Sequence, residues 1–345
     1  MIISFTGDVC FGDIEKYTRT PFQNIGDKLS QLNCVVNLEA PFLPESYREY
    51  PIKSKISLKN FDDSVEYLKQ INPFLVNLAN NHINDYGNYG AENTKHILHQ
   101  NGLNHFGAGF PGENHNVFVV HKERIVFLSY VTRSVDMSGS KLFEDEGFIG
   151  PKEYSLSLVE EQIAPYHNFQ KVVLFHWGIE DIHYPIPEQV ETGRVLIDAG
   201  VDLVVGNHPH VIQSYEQYRG KWIFYCLGHL CFPHFTSKYL NRQGEEQTYW
   251  DYHEKQRRTS IIPVMEFKQN GVKLLDVLTI KTKEDFEPYF IKYSPSFNTF
   301  LFKDISSYRA FYYMRTKLVY LYRLPFRFVR KIIQSFTGFR TGRLS

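Results

Sequence analysis

The chain has 345 residues, 43% of them hydrophobic and 22% charged, with 38 basic against 38 acidic residues. This is the composition of a soluble globular protein with length for one large domain or two ordinary ones, and a formal charge of zero speaks against a chain-wide polyanion binder such as a nucleic-acid protein. The four cysteines, Cys10, Cys34, Cys226 and Cys231, form no Cys-x-x-Cys pair and no dense framework, which suits a reducing compartment.

The amino terminus enters directly on a strand, "MIISFTGD", and lacks the basic start, long apolar core and cleavage site of a signal peptide. No stretch has the uncharged length of a membrane-spanning helix, so a cytoplasmic protein is expected. A second strand follows in "CVVNLEAP", then a helix in "FDDSVEYLKQ" with Phe61, Val65 and Leu68 on one face. "FLVNLANNH" is a third strand, and "GAENTKHILHQNG" a helix stopped by Gly102. "VFVVHKERIVFLSY" reads as a hairpin, "KVVLFHWG" as a strand and "IPEQVETGRVLIDAG" as a helix ended by Gly200. Strands in "VDLVVGNHPHV" and "KWIFYCLGHL" come next. Residues 233–259 are polar and aromatic without a period and read as a long loop, a lid or binding insertion. A last hairpin turns at Asn270-Gly271 in "IIPVMEFKQNGVKLLDVLTI". Strands alternating with amphipathic helices, plus these hairpins, imply an α/β fold with a mixed sheet flanked by helices.

In open α/β sheets ligands bind beyond the carboxyl ends of strands. Here the first apolar run ends in Gly7-Asp8, the second in Asn37-Leu38-Glu39 and the third in Asn81-His82. The later ones end in His176 and in the His208/His210 pair of "GNHPH". Each motif alone has an ordinary reading: a turn, a cap, a core histidine. Together, five strand ends deliver two carboxylates, a carboxamide and four imidazoles. Oxygen and imidazole donors without thiolate suit zinc, manganese or iron, and two such ions side by side would form a clamp for metal-assisted hydrolysis.

The succession "GDV", "NLEAP", "LANNHINDYG", "HFGAG", "HWGIE", "DLVVGNHPHVIQ" and "YCLGHL" resembles the poly-γ-glutamate capsule-synthesis (CapA-type) family, a branch of the calcineurin-like metallophosphoesterase superfamily. The likeness covers about residues 1–235. It implies a metallophosphoesterase-like mixed β-sheet core or two-sheet sandwich over residues 1–295, followed by a separate tail, 296–345. It also implies roles. Asp8 and His210 would hold a first divalent ion, Asn81, His176 and His208 a second, and Glu39 would bridge both. His82 would protonate the leaving group, and Glu180 would orient a ligand or contact substrate. Two positions depart from the pattern. Cys10 stands where phosphoesterases offer the histidine of Asp-x-His, and His229 replaces the asparagine of "SLGNF", where it adds a polar contact or a ligand. His183, Lys53 and Lys55 are candidates for contact with an anionic substrate.

The tail carries Arg309, Arg315, Lys317, Arg323, Arg327, Arg330, Lys331, Arg340 and Arg343 without acidic partners among them. Phe311, Met314, Leu318 and Leu321 recur at helical spacing, and Pro325 should end or kink that helix. The tail reads equally as a membrane-surface helix or as a docked terminal helix. The expected activity is hydrolysis by a dinuclear metal centre, on an anionic polymer or phosphorylated glycan precursor, at the inner membrane face. The competing expectation is a non-catalytic polymer-binding or assembly factor for a membrane-associated capsule synthase. The absence of a P-loop, of a GxGxxG following one of these predicted strands and of a GxSxG elbow speaks against nucleotide-driven ligation and ordinary serine hydrolysis.

Overall fold

The apolar runs pair into two large sheets in the computed structural model, which describes residues 1–52, 56–135, 142–241, 243–251, 255–292 and 304–323. The chain divides into two units, Met1–Phe300 and Leu301–Ser345. In the first unit, one sheet runs in the order Pro288–Ile291, Gly271–Thr282, Thr259–Lys268, Ile2–Val9, Cys34–Leu38, Leu75–Asn77, His105–Phe106. The short strand His229–Cys231 joins it, parallel to the carboxyl end of Ile2–Val9. The other sheet is ordered Tyr215–Tyr218, Lys221–Phe224, Leu203–Asn207, Gln170–His176, Ile125–Val131, Val117–Val120. Its central strands are parallel, and so are those of the first sheet from Ile2–Val9 to His105–Phe106.

Side chains alternate across a strand, so successive residues of a doubly buried strand enter different cores. Ile3, Phe5, Val35 and Leu75 meet Ile125, Phe127, Val172, Leu174, Leu203 and Val205 between the two sheets. Val36, Leu38, Val76 and Leu78 face the other way, onto Val65, Leu68 and Ile71 of helix Val65–Ile71 and Ala91 and Leu98 of helix Gly87–Gln100. Helix Pro187–Asp198 lies against Leu203–Asn207 and Lys221–Phe224, on the outside of the second sheet. This is an α/β fold of two packed sheets, with helices on the outer faces, in line with the expected two-sheet form. The two hairpins form as expected, the second closing on Lys268 opposite Gly271.

Residues 233–259 differ from the expected long loop. Strands Phe235–Leu240 and Glu246–Asp251 make a two-stranded antiparallel ribbon. Its turn is closed by Asn241, whose Oδ1 accepts from the backbone N–H groups of Gln243 (3.0 Å) and Glu245 (2.9 Å). The ribbon's buried side carries Phe235 and Ser237, and Ser237 Oγ accepts from the Ser57 N–H at 3.2 Å. A serine on the inward face breaks the apolar alternation by which a strand is recognised. In the second unit, the described residues form helix Ile305–Arg323. Pro325, Arg327, Arg330, Lys331, Arg340 and Arg343 lie outside the described residues, as do Lys53 and Lys55.

Gly7 marks the tightest approach between strands. A Cβ there would lie 1.9 Å from the carbonyl oxygen of Gly228, so only glycine lets the His229 strand close on the first strand beside Asp8. Gly7→Ala should lower stability by about 3 kcal/mol, the upper end of ordinary overpacking costs. Urea denaturation checks this, and an unchanged midpoint would mean that the strands part freely.

Candidate metal centre

The carboxyl ends of the central parallel strands of both sheets meet at one edge of the sandwich and bring their polar side chains together. Asp8 ends the first strand, and Glu39 follows Cys34–Leu38. Asn81 and His82 follow Leu75–Asn77, His176 ends Gln170–His176, and His208 and His210 follow Leu203–Asn207. All are buried; Asp8, Glu39 and His176 are 0% exposed. The turn after the third strand is held by Asn80, whose Nδ2 donates to the Leu38 carbonyl and whose Oδ1 accepts from the His82 N–H. In the HPH turn, His208 and His210 have φ of 99° and 61°, a region that costs a non-glycine residue about 1–3 kcal/mol. The His208 N–H donates to Asp8 Oδ2 at 3.2 Å, which helps to fix that conformation.

The distances define a continuous cluster. His210 Nδ1 lies 3.3 Å from Asp8 Oδ2, and its Nε2 lies 3.5 Å from Glu39 Oε1. His176 Nε2 lies 2.8 Å from Asn81 Oδ1 and 3.6 Å from Glu39 Oε1. The His176 and His208 ring centroids are 4.8 Å apart. His229, opposite Asp8 in register, places Nε2 2.6 Å from His210 Nδ1. His82 stands beside the cluster and pairs through Nδ1 with Asp85 Oδ2 at 2.7 Å.

Burial makes this arrangement costly for a bare protein. It pushes the Asp8 carboxyl up to about 7, against the hydrogen bond from Asn37 that stabilises its charge. Glu39 is driven well above the usual carboxylate range by burial and then by the neighbouring Asp8. Neither Glu39 oxygen receives a hydrogen bond, and His208 Nδ1 and Asn207 Oδ1 also lack partners. Buried polar atoms are normally paired, and a buried charge normally has a counter-charge. His208 and His210 are held well below the usual imidazole range, chiefly by burial, which keeps their lone pairs available. Among the described residues, Asp8, His210 and His229 form one grouping with ligand atoms within 4.8 Å of one another, and Glu39, His208 and His210 form another. The orphaned oxygens and neutral imidazoles fit one or more divalent cations.

Not every expected residue enters this cluster. Glu180 and His183 are exposed at the rim rather than inside. Cys10 is buried among Ala40, Leu58, Phe232 and Phe235, and burial pushes its thiol well above the usual range. Three contributors escaped the sequence reading. Asn37 donates to Asp8 Oδ1 at 2.7 Å and accepts from Asn77 at 3.1 Å; Asn77 in turn accepts from Ser129 Oγ at 2.7 Å, so an amide chain braces Asp8 across the sandwich. Asp85, three residues beyond His82, supplies its partner, a spacing visible in "HIND". Arg257 reaches back from beyond the ribbon to grip Asp181 through paired hydrogen bonds of 2.6 and 2.5 Å, with Glu180 3.9 Å away. Its positive charge also helps to depress His208 and His210.

A family model described as "Bacterial capsule synthesis protein PGA_cap" matches residues 2–234. The chain is similar to the capsule biosynthesis protein CapA of Bacillus anthracis, 29% identical over 82% of this chain and 68% of that one. It is likewise similar to the PGA biosynthesis protein CapA of Bacillus subtilis (strain 168), 30% identical over 81% of this chain and 71% of that one. The crystal structure of a hypothetical protein from Thermus thermophilus superposes with a TM-score of 0.46 at 13% identity, covering 84% of this chain and 99% of that one.

In the metal-free protein, Asp8 has a folded-state pKa of about 7 against an ordinary 3.8. The folded state therefore binds this proton more tightly, and that stabilisation is full below 3.8 and lost as pH rises through about 7. Urea midpoints of the metal-free protein should fall across this window. A divalent ion, which needs the carboxylate, should displace protons when added at about pH 6. Calorimetric titrations in buffers of different ionisation enthalpy read that release, and its absence would contradict an ion bound at Asp8.

Proposed function

The chain belongs to the bacterial capsule synthesis protein PGA_cap family, and on that premise we propose that it is a metal-dependent hydrolase. It would act on a phosphoester or related acyl centre of an anionic polymer or phosphorylated glycan precursor during synthesis of a surface polymer such as poly-γ-glutamate. The observation that carries this reading is Glu39, a fully buried carboxylate without a hydrogen bond, with imidazole nitrogens of His176 and His210 at 3.6 and 3.5 Å. Bound divalent ions, manganese, zinc or iron, would supply Lewis acidity and lower the pKa of water. Asp8 and His210 would hold one ion and Asn81, His176 and His208 a second, with Glu39 shared between them.

The protein's own groups do the remaining work. Asp85 accepts the Nδ1 proton of His82 and fixes its tautomer and ring orientation, leaving Nε2 to deliver a proton to the departing group. Asn37 braces Asp8 against rotation. Arg257, anchored by Asp181, sets a positive charge near His208 and His210 where an anionic substrate would dock. The basic helix Ile305–Arg323 would carry contact with the membrane surface; among the described residues, no helix is long and apolar enough to cross a membrane.

With manganese added, the wild type should hydrolyse a generic aryl phosphate. His82→Ala should lower kcat by about 10²–10⁴-fold, the usual contribution of a general acid, while keeping its metal. His208→Ala should lose metal and activity together. Elemental analysis beside steady-state kinetics reads both. A metal-loaded wild type without turnover would sink the hydrolase and leave the polymer-binding reading.

A further inference from the structure

We propose that His229 is a metal ligand, taking at the first ion the place that Cys10 leaves vacant on the first strand. The inference rests on the dinuclear reading above and adds a donor that the reading does not use.

Three features of the backbone deliver this ring to Asp8. The strand His229–Cys231 runs parallel to Ile2–Val9 with His229 directly opposite Asp8. Gly7 and Gly228 let the two strands approach within a distance that any Cβ at position 7 would block. The pairing then slips, Asp8 opposite His229 but Val9 opposite Cys231, so an extra residue enters one strand at the site. Such bulges re-aim side chains. Beyond it, Cys10 lies in the apolar cluster of Ala40, Leu58, Phe232 and Phe235. Among the described residues, the groupings able to hold an ion include His229 and omit Cys10.

The donor atoms are arranged for chelation. Asp8, His210 and His229 each place a ligand atom within 4.8 Å of the others, and all three are buried. His210 turns Nδ1 toward Asp8 at 3.3 Å and toward His229 Nε2 at 2.6 Å, while its Nε2 faces Glu39 at 3.5 Å. Without an ion, one of the two imidazoles must donate an N–H to the other. With an ion, both would present lone pairs, each ring carrying its proton on the far nitrogen, so that neither imidazole gains or loses a proton. His210 then directs Nε2–H at Glu39, whose oxygens otherwise have no donor. The His229 ring is fixed for this by stacking on Phe232, centroids 4.4 Å apart and planes 16° from parallel. One carboxylate and two imidazoles form a donor set suited to zinc, manganese or iron.

The test uses full-length protein stripped with a chelator and reloaded with manganese or cobalt(II). The wild type should take two ions per chain. His229→Phe, which keeps the ring and its stacking, should take one, or bind the first with a Kd weakened by more than about 100-fold, beyond the effect of an outer-shell partner. Its cobalt(II) absorption should change in position and intensity. His229→Asn guards against a packing fault in the phenylalanine variant and should show the same loss, with circular dichroism reporting an intact fold. Cys10→Ala should retain both ions. Two ions in both His229 variants with an unaltered cobalt spectrum would overturn the inference and leave His229 a hydrogen-bond partner of His210. A wild type that binds no ion would overturn the inference and the hydrolase reading together.

Discussion

Two carboxylates buried side by side at the edge of a β-sandwich are the constraint around which the rest is organised. Asp8 and Glu39 are both fully buried, burial raises the pKa of each, and the charge of Asp8 raises that of Glu39 further. In a low-dielectric interior, like charges this close are tolerated by neutralisation or by a shared cation. The surroundings favour the cation. The nearest partners are imidazoles, two of which burial holds neutral, and amide groups. No lysine or arginine is in hydrogen-bond contact with either carboxylate among the described residues. A fold needing only internal charge balance would have placed a basic side chain there.

Keeping such groups in place requires backbone devices that a purely structural core would not need. The HPH turn holds two histidines at positive φ, and the amide chain Asn37–Asn77–Ser129 ties Asp8 in one sheet to a strand of the other. A buried polar network is favourable only when its members are satisfied, and this one ends on the single carboxylate it orients. Mutual strain and satisfaction of this kind are the constraints that a preorganised site requires.

Much of this was legible in the sequence because strand ends are marked by a change from branched apolar to polar residues. Asp8, Glu39, Asn81, His82, His176, His208 and His210 all fall at such changes, and the structure brings them together. What stayed hidden has physical causes. Asn37 and Asn77 sit within strands and look like ordinary interruptions, since their value depends on a partner in another strand or sheet. His229 is flagged by the sequence as a polar contact or ligand, but its place opposite Asp8, in a strand of three residues, is a tertiary fact. Arg257 meets Asp181 across 76 residues of chain, and no local pattern encodes that distance. The ribbon after residue 234 was misread as a loop because its inward face includes a serine that pairs with backbone instead of packing an apolar side chain.

The site is thus assembled in two layers of different origin. The inner layer comes from rigid parallel strands within residues 2–234, the span shared with the capsule-synthesis family. The rim combines Glu180, Asp181 and His183, from the turn after His176, with Arg257, which lies beyond that span. Rigid strands suit bond-breaking chemistry, because ligand geometry must not vary between substrates. A rim built from a turn and a later segment can change its charge without disturbing the clustered groups at the strand ends. In the hydrolase proposed above, reaction type would be set by the strand ends, and the choice among anionic polymers by the cation that the later segment brings to the rim.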